Sequence, residues 1–509
     1  MVRLFLAVIG LLSVLAPPVV ASESQDSRPN FVFILTDDQR FDELGFMNPE
    51  LTTPALDQLA QEGVHFKNAF VTTSLCSPSR ASILTGKYAH SHGIVDNLAR
   101  DFAPDTRFFA QDLQAAGYKT AFIGKWHMGR HKDDPQPGFG HWISFSGQGH
   151  YLPDPNTPLN INGKHVPQKG YITDELTDYA VDWLESVKKD DNFFLFLSHK
   201  AVHDNFTPAE RHKDLYEDVD IKLPVSANSS KGKDSKKPMW VQNQRNSWHG
   251  LEFPYHSDLD VRDYKRKYHR AMAAVDESTA RIRSVLKEKG FDRDTIIIFM
   301  GDNGFMFGEH GLIDKRNAYE ESMRVPLIVY SPLSETKPDT VDDMVANIDL
   351  APTILDLAGV NVNREFHGRS FSQQLNGKSA ANWRNELLYE YYWEWVFPHT
   401  PTTFAIRTPT HKFIQYHGIW DTDELYDLEN DPREQHNLIA DPKSNAIVRQ
   451  LRKRIFELIA ETDGEHAVPY TMKQGPGLHY RFKEGSEAAH FPEASKRTGT
   501  EKDIHRYKD

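Results

Sequence analysis

Short, uninterrupted apolar runs alternate along the chain with longer stretches whose apolar positions recur at helical spacing. The runs are Phe31-Val32-Phe33-Ile34-Leu35, Thr120-Ala121-Phe122-Ile123, Phe193-Phe194-Leu195-Phe196-Leu197, Thr295-Ile296-Ile297-Ile298-Phe299 and Val325-Pro326-Leu327-Ile328-Val329. Rich in β-branched and aromatic residues and lacking a polar alternate, each predicts a strand buried on both faces. Helices are predicted over Pro54 to Glu62, Phe108 to Ala116, Asp174 to Lys188, Asp260 to Glu288 and Ile348 to Leu357. Such alternation predicts an α/β fold, a large mixed and mostly parallel sheet sandwiched by helices, spanning residues 22–384. After about residue 385 the texture changes to the aromatic-rich Leu388 to Trp395, alternating stretches at Thr403 to Arg407 and Lys412 to Tyr416, the segment Glu424 to Pro432, and a helical pattern from Ala446 to Glu461. A smaller C-terminal α+β domain over 385–509 is expected. The Lys- and Ser-rich stretch from Ser226 to Lys237 reads as a surface loop, and the charged tail after Glu484 as poorly ordered.

The N-terminus changes the picture of where the protein works. Arg3 precedes an apolar run from Leu4 to Val20, and Val19 and Ala21 are small residues at the −3 and −1 sites, which predicts a secretory signal peptide over 1–21 cleaved after Ala21. The competing reading, a retained anchor, is opposed by Pro17-Pro18, which leaves the run short of the ~20 residues of a bilayer span. Secreted or periplasmic localisation and no stable membrane span follow. Secretion would ordinarily invite disulfides, but the chain has one cysteine, so its stability must come from core size. The formal net charge of −13 argues against a nucleic-acid partner and against long-range attraction of a polyanion. An anionic substrate would need a local basic cluster.

Candidate chemistry follows the apolar runs, at the carboxyl ends where α/β sheets gather their sites. Asp37-Asp38 comes after the first run, Lys125 and His127 after the second, His199 and His203 after the third, and Asp302-Asn303 after the fourth. Three carboxylates and an amide oxygen are hard donors suited to calcium or magnesium rather than zinc. Alone, an Asp-Asp pair after a strand is more often a cap or turn, and a Lys-x-His more often solvated polarity. The single cysteine, Cys76, lies in Leu75-Cys76-Ser77-Pro78-Ser79-Arg80 ahead of a helical-looking segment. A lone thiol is ordinarily a small buried hydrophobe, but Pro78 suits a first helical turn, which puts Cys76 at a helix N-terminus where an anion is favoured.

C-x-P-S-R before a helix resembles the mark of the formylglycine-dependent (type I) sulfatases of the alkaline-phosphatase superfamily, and Gly124-Lys125-Trp126-His127-Met128-Gly129 resembles their second signature. The resemblance runs from about Asn30 to Leu438. Gly86 to Ile94 and Ser198 to His203 look like bacterial carbohydrate sulfatases near the N-acetylglucosamine-6-sulfatase branch. It implies an alkaline-phosphatase-like fold and removal of sulfate from a sulfated poly- or oligosaccharide by S–O cleavage through a formylglycine-sulfate intermediate. It implies further that Cys76 is oxidised to formylglycine (3-oxoalanine) by a maturation enzyme, and that calcium, ahead of magnesium, is held by Asp37, Asp38, Asp302, Asn303 and residue 76. Arg80, Lys125 and Lys315 would neutralise the sulfuryl group, His203 would protonate the leaving oxygen, and His127 would regenerate the aldehyde. Gln148, His150, His199 and His310 are candidate substrate contacts, His199 being equally readable as a structural histidine. Trp393, Trp395, Phe397 and Trp420 could stack on sugar rings, although such residues are more often core. Two alternatives stand beside this reading: a phosphonate or phosphodiester hydrolase of the same superfamily, and an unmodified glycan-binding pseudo-enzyme.

Overall fold

The computed structural model describes residues 28–467, except 98–100, 130–131, 233–234, 248, 253–259, 335, 379–381, 395 and 419. The expected signal segment, the tail after Glu484 and Trp395 lie outside the described residues.

Ten strands form one sheet, ordered Thr340–Val341, Val64–Phe66, Leu327–Tyr330, Thr295–Gly301, Asn30–Thr36, Phe193–Ser198, Lys119–Gly124, His141–Phe145, Leu159–Ile161, Lys164–Val166. The five strands from Thr295–Gly301 to His141–Phe145 run parallel. Burial on both faces explains their composition. Val32, Ile34, Leu195 and Leu197 join a core with Leu56 and Leu59 of helix Pro54–Glu62, Leu176 and Leu184 of helix Ile172–Ser186, and Met272 and Val275 of the long helix Val261–Glu288. On the other face Phe33 packs on Phe196 at 4.7 Å, and Phe194 meets Phe109 of helix Phe109–Ala115 at 5.3 Å. Each such large apolar side chain contributes roughly 1.5–3 kcal/mol through burial.

The run expected from Val325 begins at Leu327, because Pro326 offers no amide to a ladder, and it lies antiparallel to both of its neighbours. The other predicted helices appear within two residues of their expected starts; Asp260 caps the long helix by accepting from the Arg262 amide.

A four-stranded antiparallel sheet, in the order Leu387–Tyr391, Thr402–Arg407, His411–His417, Glu424–Asp427, follows. Helix Asn445–Glu461 covers it with Val448, Leu451, Ile455 and Ile459, an apolar stripe at helical spacing. Residues through Gly464 form one compact unit; Glu465–Ala467 form a single 3-10 turn.

The segment from Ser226 to Lys237 is only partly the expected surface loop. Ser226, Ser230 and Lys237 are buried, and the Lys237 ammonium donates to Tyr426 Oη and the Glu434 carbonyl, both at 2.7 Å. Interior acceptors for its polar side chains reverse what composition alone implies.

Candidate active site

The carboxyl ends of four parallel strands are stitched together by the backbone that leaves them. The Asp302 amide donates to the Thr36 carbonyl at 2.8 Å, the Lys125 amide to Ser198 O at 2.8 Å, and the His199 amide to Leu35 O at 2.8 Å. Gly124 is required at this crossing, since a Cβ built there would stand 1.8 Å from Ser198 O and the residue has φ +124°. Lys125 is thereby turned inward.

Helix Cys76–Thr85 enters the same space, and all ten of its residues are buried. Cys76 is its first residue, preceded by extended Leu75, so the side chain leaves the end that carries free amides. The thiol lies 3.4 Å from Asp37 Oδ1, and the Lys315 ammonium donates to its sulfur at 3.0 Å. Burial, reinforced by Asp37, pushes the thiol up to about 12, so as cysteine this group is protonated and a poor nucleophile.

Asp37, Asp38 and Asp302 bring carboxylate oxygens within 4.8 Å of one another in complete burial. Burial pushes Asp38 up to about 7, against the pull of Lys315 and with the push of Asp37 and Asp302. Asp302 is raised for the same reason. Asp37 is instead held well below the carboxylate range, because the cations Lys125, Arg80 and Lys315 together outweigh its burial. Asn303 donates through Nδ2 to Asp38 Oδ1 at 2.7 Å and to the Gly304 carbonyl at 2.8 Å, while its buried Oδ1 has no hydrogen-bond partner. Three crowded carboxylates and an orphaned amide oxygen form a donor set that fits a hard divalent cation.

Around them stand the cations. Arg80, fully enclosed, donates to Asp302 Oδ2 at 2.8 Å, the Lys125 carbonyl at 2.6 Å and Ser198 Oγ at 2.6 Å. Lys125 pairs with Asp37 and with Gln148 Oε1, and Lys315 with Asp38. His203 brings a ring nitrogen within 4.8 Å of the Cys76 sulfur and an Asp37 oxygen; its Nε2 is 3.8 Å from Asp38 Oδ2 and its Nδ1 is 2.8 Å from the Asp204 carbonyl. His127 has its carbonyl held by Ser77 Oγ at 2.5 Å and its Nδ1 3.4 Å from that hydroxyl. Burial, then Lys125, hold both histidines well below their usual range, hence neutral.

Cys76, Arg80, Lys125, His127, His203, Lys315, Asp37, Asp38, Asp302, Asn303 and Gln148 are therefore brought together; the other expected substrate contacts are not. His199 is fully buried with Nε2 3.1 Å from Ser278 Oγ of the long helix, facing the core. This is the structural alternative, and it arises because side chains alternate along extended backbone. His310 is also enclosed, 4.1 Å from the Tyr319 ring. His150 has a half-exposed side chain whose Nε2 lies 3.8 Å from Asp154. Of the aromatic candidates, Phe397 stacks on the Arg316 guanidinium at 3.5 Å, Trp393 is half-exposed, and Trp420 is fully exposed.

Sequence reasoning passed over Ser77, Lys200 and the pair flanking Lys315. Lys200 is buried, 3.3 Å from the Asp204 carbonyl, and burial followed by Lys125 lowers it to about 8. Arg316 pairs with Asp314 and with Glu394 at 2.9 Å, and Glu394 accepts from the Asn97 amide at 3.3 Å. Their signal was adjacency, since Lys200 lies inside the Ser198 to His203 motif and Asp314 and Arg316 are the immediate neighbours of Lys315.

Comparison with known proteins agrees with this geometry. The sulfatase family model matches residues 29–360, and a model described as N-sulphoglucosamine sulphohydrolase, C-terminal, matches 308–461. The chain is 33% identical to an N-acetylglucosamine-6-O-sulfatase of Bacteroides thetaiotaomicron over 87% of this chain and 88% of that one. It is 34% identical to the human N-acetylglucosamine-6-sulfatase over 72% of this chain and 68% of that one. The solved complex of BT4656 with its substrate D-glucosamine-2-N,6-O-disulfate superposes with a TM-score of 0.76 at 32% identity, covering 86% of this chain and 98% of that one. A phosphonate monoester hydrolase of Agrobacterium radiobacter shares the fold, with a TM-score of 0.70 at 22% identity over 86% and 96% of the two chains.

Proposed function

The chain belongs to the sulfatase family, sulfuric ester hydrolases that here act on sulfated carbohydrate, and we propose that its substrate is a glucosamine or N-acetylglucosamine unit bearing a 6-O-sulfate. The supporting observation is that one enclosed space receives Cys76, the Asp37, Asp38, Asp302 and Asn303 donor set, and the Lys125, Lys315 and Arg80 cations. That arrangement suits an anion presented to residue 76, and the relatives' printed activities supply the sugar.

In this reading Cys76 is converted to formylglycine by a maturation enzyme, which supplies the hydrated aldehyde's hydroxyl as a nucleophile that a thiol near pKa 12 is not. Asp37, Asp38, Asp302 and Asn303 would hold calcium, which would supply positive charge toward the sulfuryl oxygens. Lys125 and Lys315 bind those oxygens from two sides, each tethered to a carboxylate that fixes its ammonium in advance. Arg80 holds Asp302 and the Lys125 carbonyl, so it orients the clamp as well as charging it. His203, fixed through Nδ1, presents Nε2 to the departing sugar oxygen, and the neutral His127 is placed to accept a proton at residue 76. Gln148, which accepts from the Lys125 ammonium, is the candidate sugar contact that touches this clamp. A secretory leader over residues 1–21 would deliver the protein outside the cytoplasm, where sulfated glycans occur.

A panel of defined sulfated oligosaccharides, with a phosphodiester and a phosphonate monoester as controls, tests this. Release of sulfate from 6-O-sulfated glucosamine units is expected to exceed that from 2-O- or 4-O-sulfated units and from both controls. Preference for a phosphorus ester would overturn it.

A further inference from the structure

Beneath the Gly308 to Lys315 segment lies a second cluster of ligating side chains that the sulfuryl chemistry does not use. His310, Glu321 and Glu434 bring one nitrogen and two carboxylate oxygens within 4.8 Å of one another, all in burial. They come from three separate segments: the 3-10 turn Glu309–Gly311, the short helix Glu320–Met323, and the loop after strand Glu424–Asp427. The first two lead toward and away from Lys315, and the third belongs to the C-terminal sheet.

Part of the surrounding polarity is paired. Glu434 Oε2 accepts from the Glu320 amide at 2.8 Å, and the Lys412 ammonium lies between Glu434 Oε1 at 2.8 Å and Glu320 Oε1 at 2.9 Å. His310 is held on three sides: its Nδ1 is 3.1 Å from Ser229 Oγ, its carbonyl accepts from Ser230 Oγ, and its ring lies on Tyr319. Yet His310 Nε2 and Glu321 Oε2, both enclosed, have no hydrogen-bond partner. Unpaired buried polar atoms are costly, and two of them converge here with a carboxylate. A Ser229 hydroxyl accepting from Nδ1–H leaves a lone pair on the unpartnered Nε2, the tautomer a metal-ligating histidine takes.

We infer that His310, Glu321 and Glu434 form a second divalent-cation site, for a transition-series ion such as zinc or manganese. One imidazole beside two carboxylates supplies the nitrogen donor that zinc favours, which the all-oxygen Asp37, Asp38, Asp302 and Asn303 set lacks. The ion would join the turn carrying the Lys315 segment to the C-terminal sheet. This does not depend on the sulfate-ester reading.

The test is elemental analysis of the purified full-length protein, followed by zinc titration of chelator-stripped protein monitored by calorimetry and thermal denaturation. Two ions of different class per chain are expected, calcium and one zinc or manganese, with zinc raising the midpoint of the stripped protein. His310→Gln, close in volume, should weaken zinc binding at least tenfold, abolish that rise and leave calcium content unchanged. Wild-type protein that binds no zinc or manganese, or a folded His310→Gln protein that binds zinc as tightly as wild type, would overturn the inference.

Discussion

His203 offers the sharpest test of the leaving-group chemistry. Its Nδ1 lies 2.8 Å from the Asp204 carbonyl, which leaves Nε2, 3.8 Å from Asp38 Oδ2, as the nitrogen available to a substrate. A general acid so placed is worth about 10²–10⁴-fold, or roughly 3–5 kcal/mol of barrier at ~1.4 kcal/mol per tenfold. The loss on replacing it depends on how much the leaving group needs the proton. A sugar alkoxide is strongly basic and a nitrophenolate is not, so His203→Asn should lower kcat for a 6-O-sulfated sugar by two or more decades and for an aryl sulfate by far less. Burial, with Lys125 and Lys200 adding to it, holds the free histidine well below its ordinary range. An arriving sulfate anion acts in the opposite sense and favours the protonated ring that a general acid needs, so activity toward the sugar ester should fall as pH rises while the aryl ester is less affected. The assay is steady-state kinetics on both substrates across pH. Equal losses for the two esters would refute the assignment of His203 as acid.

Other consequences follow from the same geometry. Cys76→Ser should fold normally but sustain no turnover, read as at most one equivalent of product per chain in a single-turnover assay. Chelation should abolish activity and lower the thermal midpoint, because Asp38 and Asp302 would be left crowded in burial; restoration by calcium is the check. Glu320 works in the opposite sense: burial alone would raise its pKa, but Lys412 and Arg407 hold it at about 2. A carboxyl depressed on folding lends stability that is complete above its unfolded value near 4.3 and is lost as pH falls toward 2, so Glu320→Gln should flatten the acid limb of denaturation in that window.

Much of the parallel sheet was legible because continuous apolar runs have one common explanation, burial on both faces, and because polar residues just beyond them have few places to go. Val325 to Val329 shows the limit: the run fixes a strand but not its direction, which depends on the connection before it. The cysteine motif identified the start of helix Cys76–Thr85. His199 and His310 were not resolvable as interior residues, since a motif does not say which way each side chain turns. The buried half of the Ser226 to Lys237 stretch was hidden for a related reason, as its partners Tyr426, Glu434 and His310 lie far away in sequence.

The enclosure of helix Cys76–Thr85 also fixes an order of events. With the Cys76 side chain wholly inaccessible and Lys315 and Asp37 pressed against it, no catalyst of protein size could reach that sulfur in the finished molecule. Oxidation to the aldehyde, on the reading proposed above, must precede the collapse of the sheet around it, so maturation competes in time with folding. A chain that folds too quickly would be locked in its inert form.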